Sequence, residues 1–399
     1  MRVSLRQPLP PAGSDPSASP LLDPAGPRRV MGRAPGGSGE AEPLTVSDRH
    51  LFGPRGAVLG AGGGPLVVSD TGHHRLLVWR RQPETDEAPA DLVIGQPTFA
   101  VEGRNGKREP DAASLNVPTG VALVGDVLAV ADAWNHRVLL WHGLPEHSNQ
   151  PADVVLGQAD FGSVLVNRGS ASAAADTLNW CYGVSILDGR LVVADTGNRR
   201  VLVWEGIPEK NGQPADLVLG QPGPDTRDEN AGRDPGPLGM RWPHSVAMSG
   251  GRWLVADAGN NRVLVWNRLP GAAGVPADSA LGQQDFLSLE HNRGHYLPDA
   301  VGCNMPYGVA ADDRRVLVAD TANSRMIGWR GQSLGTGRPA VAVAGQPGFG
   351  AKGDNRWGPP VRDSLCWPYG VTLCGETAVI SDSGNNRVLL WDLDRSFAS

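Results

Sequence analysis

One segment recurs six times at a nearly constant step, and that step limits the possible fold more than any other feature of the chain. The sequence reads DTGHHRLLVW from Asp70, DAWNHRVLLW from Asp132, DTGNRRVLVW from Asp195, DAGNNRVLVW from Asp257, DTANSRMIGW from Asp320 and DSGNNRVLLW from Asp382. The intervals between these aspartates are 62, 63, 62, 63 and 62 residues. Self-similarity at a fixed period signals one supersecondary unit stacked on copies of itself. A length of 399 residues would otherwise suggest two or three domains. The repeat replaces that expectation with a single array.

Each copy carries two further landmarks. An apolar run ends in Gly-Gln downstream, at Gly95-Gln96, Gly157-Gln158, Gly220-Gln221, Gly282-Gln283 and Gly345-Gln346. A Pro-x-Gly-Val-like segment lies upstream: PTGVAL from Pro118, CYGVSI from Cys181, PHSVAM from Pro243, PYGVAA from Pro306 and PYGVTL from Pro368, with a degenerate PRGAVL from Pro54. These landmarks define four short strands per copy. Strand a is the Pro-x-Gly-Val segment, and strand b is the run before the Asp, such as Leu191-Val192-Val193. Strand c is the run after the Arg, such as Val201 to Trp204, and strand d precedes Gly-Gln, as in Leu217-Val218-Leu219. All are rich in β-branched residues and bounded by turn formers. Strands b and c are apolar at successive positions, so both of their faces must be covered. Radially stacked blades do this, whereas a sandwich with a solvated face would alternate. The pattern therefore predicts an all-β chain, a six-bladed β-propeller with four-stranded antiparallel blades.

The sixth copy stops after strand c, at Trp391-Asp392-Leu393. Arg29-Val30-Met31-Gly32-Arg33 resembles the missing strand d, and Gly32 lies 63 residues before Gly95, one repeat step. Residues 28–393 are read as a single propeller, with 28–36 closing blade six. Closure removes two exposed sheet edges. Residues 1–27 are read as a disordered Pro-rich tail and 394–399 as a short tail.

The strand-a pattern PxGVA followed by (L/V)VAD(T/A)GNxRV resembles the NHL repeat. PADVVLGQADF from Pro151, the NRG from Asn167 and Leu178-Asn179 before the next strand a resemble a longer bacterial variety of it. The resemblance covers roughly residues 28–393 and implies a six-bladed ring. The wider family includes interaction scaffolds and RNA-binding modules and, on related rings, metal-dependent lyases and lactonases. It therefore implies a fold and leaves function to the site.

In a propeller the b–c and d–a connections emerge on one face, the top. Here the d–a connections are long, with 25 residues from Gly95 to Gly120. Loops carry function, so the top face is the expected binding surface. Columns that repeat in every copy read as structural. These are the Asp and Arg of the b–c hairpin and the loop residues Asn105, Asn167, Asn230, Asn292 and Asn355. Function is sought where the copies differ. The residue two before the strand-a Val is Arg55, Thr119, Tyr182, His244, Tyr307 or Tyr369. These six are expected to ring the mouth of the axial channel as a collar for a small ligand or peptide end. The plainer alternative is that they buttress neighbouring blades. Trp134, at a hairpin tip where four other copies have Gly, is a candidate partner contact unless a loop covers it.

No GxSxG elbow or phosphate loop is present, and no Cys/His pair stands in a defensible catalytic context. No cofactor is expected. His244 with His291 and His295 is the only histidine set worth testing for metal, and no three histidines recur at equivalent positions. A net charge of −6 argues against a general nucleic-acid surface, although Arg75, Arg137, Arg199 and Arg200 lie close in the repeat. There is no apolar run long enough to span a bilayer and no secretory signal. The four cysteines, at non-equivalent positions, suggest free thiols in a reducing cytoplasm. The expected function is a non-catalytic binding or scaffold propeller that meets a protein partner through its top face. The alternatives are a metal-dependent lyase or hydrolase at the channel mouth and an RNA-binding ring.

Overall fold

Successive apolar residues force each sheet between two neighbours, and blade three shows how. Its strands a to d are Cys181–Leu187, Arg190–Asp195, Arg200–Trp204 and Leu217–Leu219, paired antiparallel in that order. Val193 and Leu202 pack towards blade two, with Ala129 and Leu140. Val192, Val201 and Val203 pack towards blade four, with Val255 and Leu264. The same four-stranded order repeats in six sheets, which gives the expected propeller. The computed structural model describes residues 18–33 and 46–398. No helix among them is long and apolar enough to cross a membrane. Cys181, Cys303, Cys366 and Cys374 are all free thiols.

The repeated polar columns hold the connections to the sheets. In blade two, one Asp132 oxygen accepts from Arg137 Nε at 2.7 Å and from Asn135 Nδ2 at 2.8 Å. The other accepts from the Asn116 amide at 2.6 Å. Arg137 then donates to the carbonyls of Phe161, Asp111 and Ser114 in the flanking loops. Equivalent Asp–Arg pairs are buried in all six blades. Asn135 also exchanges amide hydrogen bonds with Asn105 of the preceding loop. Asn105 sits at φ +51°, a left-handed conformation that asparagine tolerates well. A buried carboxylate must be compensated by charge and hydrogen bonds, and here it is.

Closure follows the repeat arithmetic. Arg29–Gly32 forms the fourth strand of blade six against Arg387–Asp392, with Val30 opposite Leu389. The strand-c tryptophans make the same point. In five blades the indole N–H donates to a carbonyl nine residues on, as Trp204 does to Gln213 at 3.0 Å. Trp391 of blade six donates instead to Asp23, 2.8 Å away, at the other end of the chain.

The disordered tail expected over 1–27 needs correction for its described part. Ser19–Pro20 pairs in parallel with the outer strand of blade five, making that sheet five-stranded. Leu21 and Leu22 are buried. The expected C-terminal tail is partly a short helix, Arg395–Ala398, whose Phe397 is buried in the same cluster. Residues 1–17, and residues 34–36 of the expected closing segment, lie outside the described residues.

Candidate functional site: an aromatic funnel at the top face

In four blades strand a starts with an irregularity that takes one side chain out of the ladder. Pairing to strand b skips a residue between Cys181 and Gly183, Pro243 and Ser245, Pro306 and Gly308, and Pro368 and Gly370. The skipped residues are Tyr182, His244, Tyr307 and Tyr369. A bulge leaves its extra residue outside the ladder and redirects its side chain. The glycine that follows in most copies permits the strands to crowd together near the axis. A Cβ at Gly183 would lie 2.1 Å from the His244 carbonyl oxygen, and one at Gly56 2.2 Å from that of Thr119.

Five of the six collar residues meet. The His244 ring stacks on Tyr182 at 5.1 Å between centroids and on Tyr307 at 4.4 Å. Tyr307 lies 4.5 Å from Tyr369, and the Arg55 guanidinium completes the circuit over Tyr369 at 4.8 Å and Tyr182 at 5.8 Å. These five side chains line a cavity of about 700 Å³ above them and a second of about 230 Å³ below. They form a septum across the axis, the floor of a funnel that opens on the top face. Thr119, expected in the collar, does not join them. It is buried and its Oγ donates to the Tyr182 carbonyl at 2.8 Å, so its one polar group is used between blades.

The septum is nearly neutral. His244 Nδ1 lies 2.9 Å from the Trp242 carbonyl oxygen, which places the proton on Nδ1 and leaves Nε2 as an acceptor. Burial, aided by the Arg55 charge and opposed by that hydrogen bond, lowers its pKa to about 4. Burial raises the phenols of Tyr307 and Tyr369, so both stay protonated. Arg55 brings the one charge. Its guanidinium makes no hydrogen bond or ion pair with any described residue and rests only on the two tyrosine faces.

The funnel walls were not anticipated from the sequence. They come from the position just before the strand-a Pro or Cys, which reads Gly53, Val117, Trp180, Trp242, Met305 and Trp367. Trp180, Trp242 and Trp367 line the funnel and are 49%, 39% and 43% exposed. The signal was available: three of twelve tryptophans share one repeat column outside strand c. Trp180 and Trp367 have φ of +47° and +50°, shared with Val117 and Met305, so this backbone strain belongs to the repeat. The preceding hairpin holds it. Trp180 N–H donates to His136 Nδ1 at 3.0 Å, and Trp367 N–H to Ser324 Oγ at 3.2 Å. The third hairpin has Arg199 at that place, which cannot accept. Trp242 accordingly lacks the positive φ, and Arg199 borders the funnel, donating to the Gly197 and Arg227 carbonyls. No Asp or Glu lines the funnel among the described residues.

The chain is 26% identical over 357 residues to NHL repeat-containing protein 2 of Bos taurus, covering 84% of this chain and 46% of that protein. It is likewise 26% identical over 281 residues to the Homo sapiens protein of that name, covering 65% and 36%. The repeats are of the NHL type. The NHL ring spans about half the length of the bovine protein or less of the human one. No family model matches the chain. Among solved structures, the WD40 propeller domain of Doa1 is 9% identical, covering 93% of this chain and 98% of that one, with a TM-score of 0.48. Hydrazine synthase of Kuenenia stuttgartiensis is 13% identical, covering 89% and 99%, with a TM-score of 0.47. Overlays at this level carry no argument, and the six NHL blades stand on their own strand pairing.

The other candidates on the NHL ring fall outside the funnel. Trp134 is 42% exposed and carries the Arg104 guanidinium 5.5 Å over its ring, so one loop residue covers it in part. His291 and His295 are exposed on a loop turn, while His244 is buried in the septum; neither exposed histidine lines the funnel. No group of three or more His, Cys, Asp or Glu among the described residues is placed to hold a metal ion. Arg75, Arg137 and Arg200, considered for RNA, are buried against their aspartates. Arg199 alone of that set reaches the funnel.

Proposed function

We propose that this NHL propeller is a non-catalytic binding or scaffold module that takes a segment of a protein partner into the funnel on its top face. One observation carries the reading: three half-exposed tryptophans surround a pocket floored by a closed ring of tyrosines, histidine and arginine. Trp, Tyr and Arg dominate binding energy in well-enclosed interface pockets. A volume of about 700 Å³ suits a few side chains or a small ligand. The septum separates this space from the lower channel, so a partner would read the top face alone.

Affinity capture from native extract tests the proposal, with the wild-type chain beside Trp180→Ala, Trp367→Ala and Tyr307→Ala. A hot-spot truncation costs about 2 kcal/mol or more, roughly a thirtyfold loss of affinity. A specific partner should be lost with these variants and kept with a substitution at exposed Leu287. Identical partners on all of them would reject the funnel as the binding site.

A further inference from the structure

We infer that the funnel receives an aromatic side chain flanked by a carboxylate, presented by the partner polypeptide, with the carboxylate drawn to Arg55 on the floor. The inference rests on the funnel being the partner site and adds what the partner must carry.

The charges decide the sign. The chain has a net charge of −6, yet the funnel lining holds Arg55 and Arg199 and no carboxylate among the described residues. All of the Arg55 guanidinium donors are free of acceptors among the described residues. Arg199 spends Nη1 on two carbonyls, while its buried Nε has no partner among the described residues. A guanidinium fork matches a carboxylate in shape and charge. Aromatic-walled pockets also attract cations. Here Arg55 already occupies the faces of Tyr182 and Tyr369, and a second cation would meet it without any acid to offset the repulsion. The walls call for a flat apolar body, since Trp180, Trp242 and Trp367 offer indole surface. An aromatic side chain next to an anion satisfies both parts of the site.

Calorimetry on the full chain with synthetic probes tests this. The probes are acetyl-Gly-Gly-Phe as free acid, the same peptide as its amide, acetyl-Gly-Asp-Phe amide and 3-phenylpropanoate. The free acid should bind at least tenfold more tightly than its amide. Arg55→Gln should erase that preference, and Arg55→Lys should restore part of it, keeping charge without the fork. Arg199→Gln, a second variant remote from the septum packing, should narrow the preference. If the Asp peptide matches the free acid, a side-chain carboxylate serves; if it is weaker, the anion is a chain end, and either result supports the inference. Equal binding of acid and amide, an undiminished preference in Arg55→Gln, or no saturable binding of either peptide would overturn it. Binding of 3-phenylpropanoate as tight as the peptide would overturn the assignment to a polypeptide. Partner capture that survives Arg55→Gln but not Trp180→Ala would sink this inference and leave the proposed function intact.

Discussion

Removing the N-terminal strap should open the ring. A chain beginning at Ala34 lacks the fourth strand of blade six, Arg29–Gly32, and the added strand on blade five, Ser19–Pro20. It also loses Leu21, Leu22, Val30 and Met31, none more than 2% exposed, and the Asp23 carbonyl that accepts the Trp391 indole N–H. Burying a Leu, Val or Met side chain contributes about 1.5–3 kcal/mol, so four contribute about 6–12 kcal/mol against a fully extended reference. A compact unfolded chain lowers such totals by roughly 10–40%. The remainder is comparable with a whole domain's typical stability of about 5–15 kcal/mol. The shortened chain should therefore unfold at a much lower temperature than one beginning at Ala18. Its open blade edge should also drive association, visible by size-exclusion chromatography. Val30→Asp, which keeps the segment but buries an unpaired charge, should move in the same direction. A chain beginning at Ala34 that melts with the reference and elutes as a monomer would refute the closure argument.

Two further outcomes follow from the polar network. Arg137→Ala leaves Asp132 buried without its counter-charge and frees three loop carbonyls, so it should cost about 3–5 kcal/mol in denaturant unfolding; a loss below about 1 kcal/mol would contradict the view of this column as structural. His136 is held neutral by burial, with its pKa lowered from 6.5 to about 4. The unfolded chain then takes up the proton first, so stability is full above pH 6.5 and falls as pH drops towards 4. That gap corresponds to about 3 kcal/mol in total. His136→Asn should remove this share of the acid sensitivity while keeping the bond to Trp180, because Asn261 and Asn386 accept the equivalent amides in other blades. Melting curves at pH 7 and pH 4.5 would show it, and an unchanged acid shift in His136→Asn would reject the assignment.

The strands were legible because each landmark has a local cause: turn residues bound them, and unbroken apolar runs demand cover on both faces. Closure was legible from the strand missing in the sixth copy and from the position of Gly32 one repeat step before Gly95. The docked residues 18–27 were not, because prolines around them suggested disorder while their partner surface lies far along the chain. A trace of it is nonetheless present. Strand c of blade five has Gly328 where other copies have Val or Leu, and a Cβ there would lie 2.5 Å from Leu21 Cδ1 and 2.8 Å from the Phe397 ring. The gap in one copy accommodates both chain ends. Thr119 shows the opposite limit. Its place in the column does not decide where its side chain goes, because that depends on what the next blade offers, here the Tyr182 carbonyl. Two of the tryptophan walls were hidden because a hairpin of the preceding blade positions them, as His136 positions Trp180 from 44 residues earlier.

Six near-identical copies meeting at one axis would create a six-fold environment, poorly suited to an asymmetric ligand. The copies diverge most usefully where they meet. A single guanidinium, three phenols, one neutral imidazole and a threonine turned aside replace what symmetry would make six of one kind. The ion pairs and amide exchanges that secure the blades lie further out and barely vary, so the axis can change without loosening the ring. That division of labour explains why Arg55 can remain without a carboxylate partner among the described residues. Were it a structural residue of the repeat, it would have an aspartate, as Arg75 has Asp70 five residues away in the same blade.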